Sequence, residues 1–457
     1  MADGIAAGFS TAPLKDLSAT APSTDLSATA RPTKRRFLVM GMLFVTVVIN
    51  YLDRSNLSIA SPHVAAQFQL TPTQMGLIFS AFGWIYGPLQ IPGGWLVDRI
   101  HPRIFYPATI LLWSLATFSF GVSTGFAMLI ALRLLVGLCE VPSFLINNRI
   151  ATTWFGEHER ATCVGAYTAA EYVGLAFLMP ILGWLLTTFG WPSVFFVTGA
   201  IGVIWSVIFF LLYRDPRRMK GVNEAEISLI TSSGGIPDLS ERIKARKQTE
   251  RSGSVWVNLA IVLGRRKLWG LYIGEFCWAT TNTFFLTWFP TYLVEYRHFS
   301  FIKAGFYGAV PFLAAFLGVI CSGLLSDYSV RRGVSLSVAR KTPIIGGMLL
   351  ASIIIGANFV DSAPLVIMFM AIAFFANGLA SIHWALVSAV APERLIGLTS
   401  GTFNFVGSIA FVTTPIVIGY LLTIGSISGP LTFVSINAAI GACAYIFLVG
   451  RVERVTE

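Results

Sequence analysis

Apolar stretches of about 20 residues, the length that a helix needs to cross a bilayer, follow one another from Phe37 to Val449. Only short polar turns separate most of them. Charged residues make up 12% of the chain, whereas a soluble domain has roughly 25%. Because so apolar a surface cannot be solvated by water, the sequence predicts an all-α membrane protein that lies in a lipid bilayer.

The apolar stretches predict twelve transmembrane helices in two six-helix halves. A polar tail (1–36), rich in Ala, Ser, Thr and Pro, precedes the first half (37–213) and is expected to be disordered. A polar linker (214–268) follows, then the second half (269–450) and a short tail (451–457). The helices are predicted at 37–58, 72–97, 104–122, 127–150, 162–187 and 192–213, and at 269–294, 301–326, 341–360, 363–389, 395–424 and 429–450.

The net charge of +10 raises the question of nucleic-acid binding, and the position of the basic residues answers it. They gather in the loops after even-numbered helices and in the linker, as in a polytopic membrane protein whose cytoplasmic loops are positive. We therefore expect both termini in the cytoplasm, and a linker that contacts anionic headgroups rather than nucleic acid. The five cysteines are scattered without the spacing of a metal site or a disulfide framework.

A short motif occurs once in each half. Gly94–Arg103 reads GWLVDRIHPR and Gly323–Arg331 reads GLLSDYSVR, with Asp98 and Asp327 separated by 229 positions (327 minus 98). Either copy alone would be an ordinary charged turn, but the pair indicates two copies of one six-helix unit. The motif resembles the loop signature of the major facilitator superfamily, with His101 where a second glycine is usual, and this resemblance implies the major facilitator fold. The residues expected to close and open one face are Asp98, Arg99, Arg103, Asp327 and Arg331.

Several charged residues lie inside predicted helices, where each costs roughly 2.5 to 3.5 kcal/mol and usually lines a cavity or a proton path. Arg133 and Glu140 share a face of the fourth helix but are about 10.5 Å apart along its axis. We therefore expect them to face Asp53 and Arg54 on the first helix. Our hypothesis is that protonation of Asp53 or Glu140 frees an arginine to hold a substrate anion. The alternative is that these side chains reach the interface and only stabilise the fold.

A longer set of motifs resembles the anion:cation symporter branch of this superfamily, most of all the bacterial sugar-acid transporters of the galactonate and glucarate kind. The resemblance implies that Asp53 and Glu140 bind protons and that Arg54 and Arg133 contact the substrate carboxylate. It also implies that Tyr51, Tyr86, Ser381, Trp384 and Asn404 line the central cavity. The motifs are Tyr51–Leu57, Gln90–Trp95, Arg133–Pro142, Asn147–Arg149, Glu157–Arg160, Phe285–Pro290, Ala339–Pro343 and Gly401–Asn404.

Two positions depart from that pattern. Glu171 and Glu275 stand on the fifth and seventh helices where these relatives generally have glutamine. Both are candidates to line the substrate site, but an ionised glutamate only accepts hydrogen bonds and repels an anion. The substrate therefore stays open between a sugar acid, a dicarboxylate, an aromatic acid, a sulfonate and an acid that also carries a cationic group.

The sequence predicts proton-coupled uptake of a small organic anion across a bacterial inner membrane by alternating access. We expect a monomer that needs no cofactor or metal and is not an enzyme. No nucleotide-binding loop of the Gly-x4-Gly-Lys-Ser/Thr form is evident, so ATP is not the expected energy source. One alternative is an efflux antiporter for drugs or cations, which Glu171 and Glu275 would suit. The other is a membrane sensor that binds the same ligand without moving it.

Overall fold

A computed structural model describes residues 31–238, 255–392 and 395–454. Most of the tail predicted to be disordered lies outside these residues, as do the middle of the linker (239–254), Arg394 and the last three residues. Within the described residues, all twelve predicted segments are helical and no strand is present. The prediction of an all-α membrane protein is confirmed.

In the first half, two of the six segments are broken at proline. The second breaks at Gly87 and Pro88, and the fourth at Val141 and Pro142, because proline has no backbone N–H and its ring clashes with the preceding turn. The first segment runs ten residues beyond its predicted end at residue 58 (68 minus 58), and its polar residues are bonded there to the other half. The helices are Arg35–Phe68; Pro72–Tyr86 with Gln90–Arg99; Pro102–Phe120; Phe126–Glu140 with Ser143–Trp154; Glu157–Phe189; and Trp191–Leu212.

The second half repeats this arrangement with different breaks. The tenth segment is interrupted at Ser381 and Ile382, where the chain has no proline. Nine helices in the described part of the chain are long and apolar enough to cross a membrane, and the second, third and seventh segments are shorter or more polar. The helices are Arg266–Thr287 with Phe289–Thr291 and a π turn Tyr292–Tyr296; Phe301–Arg331; Leu336–Ala351 with a 3-10 helix Ser352–Phe359; Ala363–Ala380 with His383–Val390; Ile396–Thr423; and Gly429–Phe447.

Part of the linker is folded onto the first half. It contains a 3-10 turn, Pro216–Arg218, and the helix Glu224–Ser232, whereas the later linker helix, Val255–Leu263, packs against the seventh and eleventh segments of the second half. The buried Glu226 accepts hydrogen bonds from the backbone N–H of Arg36 and from its guanidinium, at 3.1 and 3.3 Å. Since Arg36 lies in the first turn of the first segment, this contact marks one end of the bundle, which we call the linker end.

The two halves meet along a seam of small residues. Gly76, on the second segment, packs against the backbone of Pro415 on the eleventh so closely that a Cβ atom would overlap its carbonyl. Gly305, on the eighth segment, approaches Pro180 on the fifth, where a Cβ atom would lie 3.1 Å from its Cα. Small residues allow such close backbone approach between membrane helices.

Candidate functional site

A buried ion pair joins the first and fourth segments. The Nε atom of Arg54 donates to Oε2 of Glu140 at 2.8 Å, and neither side chain is more than 6% exposed. Arg133 donates through Nη2 to the backbone carbonyl of Arg54 at 3.2 Å. Asp53, which is 3% exposed, lies near Arg133. The four charged residues that the sequence pairs across these helices therefore come together.

Aromatic rings surround the arginines of this charged cluster. The guanidinium carbon of Arg54 lies 4.7 Å from the ring centroid of Phe82, 4.9 Å from that of Tyr51 and 5.0 Å from that of Tyr86. Arg133 lies 5.4 Å from the Phe82 ring. Because the faces of aromatic rings attract cations, these rings help to hold two like charges close together.

Each arginine also has a buried nitrogen that donates to no described residue. These atoms are Nη2 of Arg54 and Nε of Arg133. A buried donor without an acceptor is costly, and in a cavity it is available to a ligand. Both arginines line one small cavity that reaches the second half, together with Phe79, Phe82, Leu286, Thr287 and Phe411.

The Asp53 carboxylate has little support. Its Oδ1 atom accepts a long hydrogen bond of 3.4 Å from Asn56, and Oδ2 makes no hydrogen bond in the described part of the structure, although the indole of Trp113 lies beside the carboxylate. Asn56 itself bonds at 2.6 Å to Thr198 on the sixth segment, which fixes its amide. The arrangement leaves one carboxyl oxygen of Asp53 buried and unsatisfied.

Glu171 lies where the halves meet. Its Oε1 atom accepts a hydrogen bond of 3.3 Å from Asn282 on the seventh segment, and the hydroxyl of Tyr51 lies beside the same carboxylate. Glu171 therefore links the first half to the second within reach of the aromatic residues around Arg54. Sequence reasoning did not single out Asn282.

Glu275 lies apart from the charged cluster, inside the second half. Its Oε2 atom is 2.6 Å from Nε2 of His383 on the tenth segment, and both side chains are buried. Sequence reasoning did not single out His383. The available signal was an ionisable residue inside an apolar helix, the same signal that identified the glutamates.

Three further candidates lie toward the linker end of the tenth and eleventh segments. Trp384 is 43% exposed, while Ser381 and Asn404 are half-buried. The Trp384 ring packs edge-on against Phe403 with centroids 4.9 Å apart. Among the described contacts, no hydrogen bond or ring contact joins these three residues to the arginines.

The structure describes only part of the predicted gating set. The side chains of Asp98 and Asp327 lie outside what it describes. The guanidinium carbon of Arg99 lies 3.8 Å from the Trp95 ring centroid, and Arg103 lies 5.5 Å from that of Phe210. Arg331 is exposed at the end of the eighth segment.

His101, which departs from the loop signature, caps the third segment. Its Nδ1 atom accepts from the backbone N–H of Arg103 at 3.2 Å, and Nε2 lies 2.8 Å from Asp215 at the start of the linker. The histidine therefore supplies a helix cap where glycine would supply only backbone freedom.

The contacts between the halves are unevenly distributed along the bundle. Ser58 donates to the carbonyl of Thr287 at 2.5 Å, and the hydroxyls of Thr73 and Thr423 are 2.7 Å apart. The bonds from Ser61 to Thr291 and from Asn282 to Glu171, and four ring contacts between the halves, likewise lie between the middle of the bundle and the end opposite the linker. The molecule is therefore sealed at that end.

Comparison with known proteins identifies several relatives of this chain. The Major Facilitator Superfamily model matches residues 43–339. A D-galactonate transporter of Escherichia coli O6:H1 is 48% identical over 93% of this chain and 98% of its own length. A Bacillus subtilis (strain 168) protein named "probable galactarate/D-glucarate transporter" is 41% identical over 93% of this chain and 94% of its own. A solved bacterial homologue of the human lysosomal transporter Spinster, in an inward-facing and occupied conformation, has the same fold, with a TM-score of 0.71, 18% identity, and coverage of 92% and 98%.

Proposed function

The chain belongs to the major facilitator superfamily, and on that premise we propose that this transporter takes up a sugar acid together with protons. The substrate class is that of D-galactonate and of galactarate or D-glucarate, which the names of relatives 48% and 41% identical to this chain carry. A single observation carries the proposal: Arg54 is held by Glu140 at 2.8 Å beside a second arginine with a free donor.

The two arginines would bind the substrate carboxylate. The Arg54 Nη2 and Arg133 Nε atoms are buried donors without acceptors, and both side chains line the same cavity. Charge-assisted hydrogen bonds from two guanidinium groups to one carboxylate are among the strongest polar contacts in proteins. Lysine would not replace them well, because its ammonium is a single point charge that is more strongly hydrated.

Glu140 and Asp53 would bind the protons. A proton on Glu140 removes the negative charge that occupies Nε of Arg54, so the arginine can turn from its internal partner to the substrate. A proton on Asp53 neutralises a buried carboxylate whose Oδ2 atom has no hydrogen-bond partner among the described residues, and so removes the cost of burying its charge. Substrate binding is therefore favoured when the carboxyls are protonated, and this couples the two movements.

The remaining candidates would bind the hydroxyl groups of the sugar acid. Tyr51 and Tyr86 stack against Arg54 and offer hydroxyls beside it. Trp384, Ser381 and Asn404 offer an indole N–H, a hydroxyl and an amide on the second half. Closure of the linker end would bring these three toward the arginines. Glu171, bonded to Asn282 across the seam, is positioned to accept a sugar hydroxyl.

Transport would follow alternating access around this central site. The linker end faces the cytoplasm in this proposal, with both termini on that side and the protein, as a monomer, in a bacterial inner membrane. Arg99, Arg103 and Arg331, with Asp98 and Asp327, would hold the linker end closed in the opposite state. The seam would then open at the other end.

Uptake by reconstituted vesicles tests this proposal. Labelled D-galactonate should accumulate when the pH is lower outside than inside, and accumulation should stop when the gradient is dissipated. Unlabelled galactarate, D-glucarate, an aromatic acid and a sulfonate, added as competitors, define the substrate class. Export of label from preloaded vesicles, driven by an inward proton gradient, would point instead to an efflux antiporter. Binding without any movement of label, including exchange, would mean that the protein is a sensor.

A further inference from the structure

The break in the tenth segment is held by one histidine. The helix ends at Ala380 and resumes at His383. The Nδ1 atom of His383 lies 2.8 Å from the carbonyl of Ala380, and the ring is fully buried. A carbonyl oxygen only accepts hydrogen bonds, so Nδ1 carries a hydrogen and donates it. The side chain thereby satisfies a backbone acceptor that the break leaves free.

The other ring nitrogen faces a carboxylate. Nε2 of His383 lies 2.6 Å from Oε2 of Glu275 on the seventh segment, within ion-pair distance but without the alignment of a hydrogen bond. With Nδ1 protonated, a neutral histidine has a lone pair on Nε2, and an ionised Glu275 has only lone pairs to set against it. Two such acceptors repel at this distance, and one proton held by the pair removes that repulsion. The pair is then neutral, as imidazolium with carboxylate or as imidazole with carboxylic acid.

Among the described residues, no ion pair joins Glu275 to a charged group other than His383. The titratable group that faces Glu275 is Tyr445 on the twelfth segment, which Cys277 on the seventh also faces. The eleventh segment contributes Gly407, where a Cβ atom would lie 2.6 Å from Oε1 of Glu275. The remaining neighbours are neutral: Trp278 and Phe403 contact the histidine ring, with centroids 4.8 and 5.5 Å away.

We propose that Glu275 and His383 hold one shared proton and form a second proton-binding site, in the second half of the transporter. Loss of that proton leaves a net negative charge and two facing lone pairs, so the seventh segment and the break in the tenth separate. The proton balance is simple: one proton leaves the pair for water and no other bond changes. Its role in transport rests on the proposed function, whereas proton binding itself does not.

This assignment also changes the expected role of Glu275. A glutamate whose charge is cancelled by a bound proton does not repel an organic anion. The glutamate at this position is therefore compatible with a sugar-acid substrate, although glutamine is usual in the relatives that the sequence resembles. The charge of the pair would influence the site through the conformation of the tenth segment, which also carries Ser381 and Trp384.

Nitrogen-15 NMR of the histidine rings tests proton binding directly, in purified protein without substrate. The chain has five histidines, and His383→Gln identifies the resonances of His383. The pH midpoint at which the His383 resonances change is measured in wild type and in the variants. Glu275→Gln, which removes the opposite charge, should lower that midpoint by about one pH unit or more. A midpoint that is the same in wild type and Glu275→Gln would overturn the proposal.

Two further variants support this measurement. Glu295→Gln removes an exposed glutamate from the same segment and should leave the His383 midpoint unchanged. If Glu275→Gln does not fold, Glu275→Asp withdraws the carboxylate by one methylene and should lower the midpoint by a smaller amount. An unchanged midpoint in a folded Glu275→Asp protein would contradict the shared proton equally well.

Exchange of substrate across vesicles separates this proposal from the proposed function. Counterflow of D-galactonate should fall at alkaline pH in wild type and Glu295→Gln, and this fall should be smaller in Glu275→Gln. Identical pH profiles for wild type and Glu275→Gln would remove the role in transport. Absence of D-galactonate transport in every protein would refute the proposed function. The NMR measurement would still test proton binding by Glu275 and His383, because it does not depend on transport.

Discussion

Replacing Glu140 by glutamine should make substrate binding tighter and less dependent on pH. Glutamine keeps the shape of the side chain but cannot carry the charge that holds Nε of Arg54 at 2.8 Å. A hydrogen bond to a charged group is worth about 1.5 to 3 kcal/mol, and each 1.4 kcal/mol is a factor of ten in affinity. At a pH where Glu140 is ionised in wild type, Glu140→Gln should therefore bind D-galactonate about 10- to 150-fold more tightly.

The sign of the pH dependence follows from the same competition. In wild type, affinity should fall as the pH rises, because the ionised Glu140 competes with the substrate for Arg54. In Glu140→Gln this loss should be absent, leaving only the dependence contributed by Asp53. Titration calorimetry of purified protein at acidic, neutral and alkaline pH measures both effects, with Glu295→Gln as the control for charge removal. A Glu140→Gln protein with wild-type affinity at every pH would refute the reasoning.

Three further predictions concern other contacts. Arg54→Lys should lower D-galactonate affinity at least tenfold in the same calorimetry, because lysine cannot bridge a carboxylate and stack on three rings; wild-type affinity would contradict this. Glu226→Gln should lower the free energy of unfolding by about 1 to 3 kcal/mol, because it leaves buried donors poorly satisfied. Glu224 is exposed, so Glu224→Gln should leave the free energy of unfolding unchanged. Equal thermal stability of the two variants would count against the linker contact. In Gly76→Ala the new methyl group should overlap Pro415, and overpacking of this kind costs about 1 to 3 kcal/mol. The population should therefore shift about 5- to 150-fold away from the state sealed opposite the linker. Unchanged spin-label distances across the seam would disprove it.

The sequence was sufficient to predict the helices and the charged cluster. Charged residues in an apolar helix need partners, and helical periodicity fixes which face they occupy. The sequence alone therefore assigns Asp53 and Arg54 to face Arg133 and Glu140. Prolines at positions 88 and 142 mark two of the helix breaks, although we predicted both segments as continuous.

Other features depend on tertiary packing and could not be predicted in this way. The break in the tenth segment has no proline, and its stabilising contact joins His383 to Glu275, which is 108 positions away (383 minus 275). Glu226 appears in the sequence as one acid in a polar linker, yet it is buried against Arg36, 190 positions away. Such pairs depend on how helices pack, which local periodicity does not encode.

Joint movement of protons and substrate can be recorded in a single experiment. Vesicles containing the wild-type protein and a pH-sensitive dye, with weak internal buffer and no initial gradient, receive D-galactonate outside. The interior should become more acidic as the substrate enters, and this acidification should be smaller in Glu140→Gln, in which only Asp53 remains of the two carboxyls, while substrate exchange remains. Entry of D-galactonate into wild-type vesicles without any acidification would contradict the account.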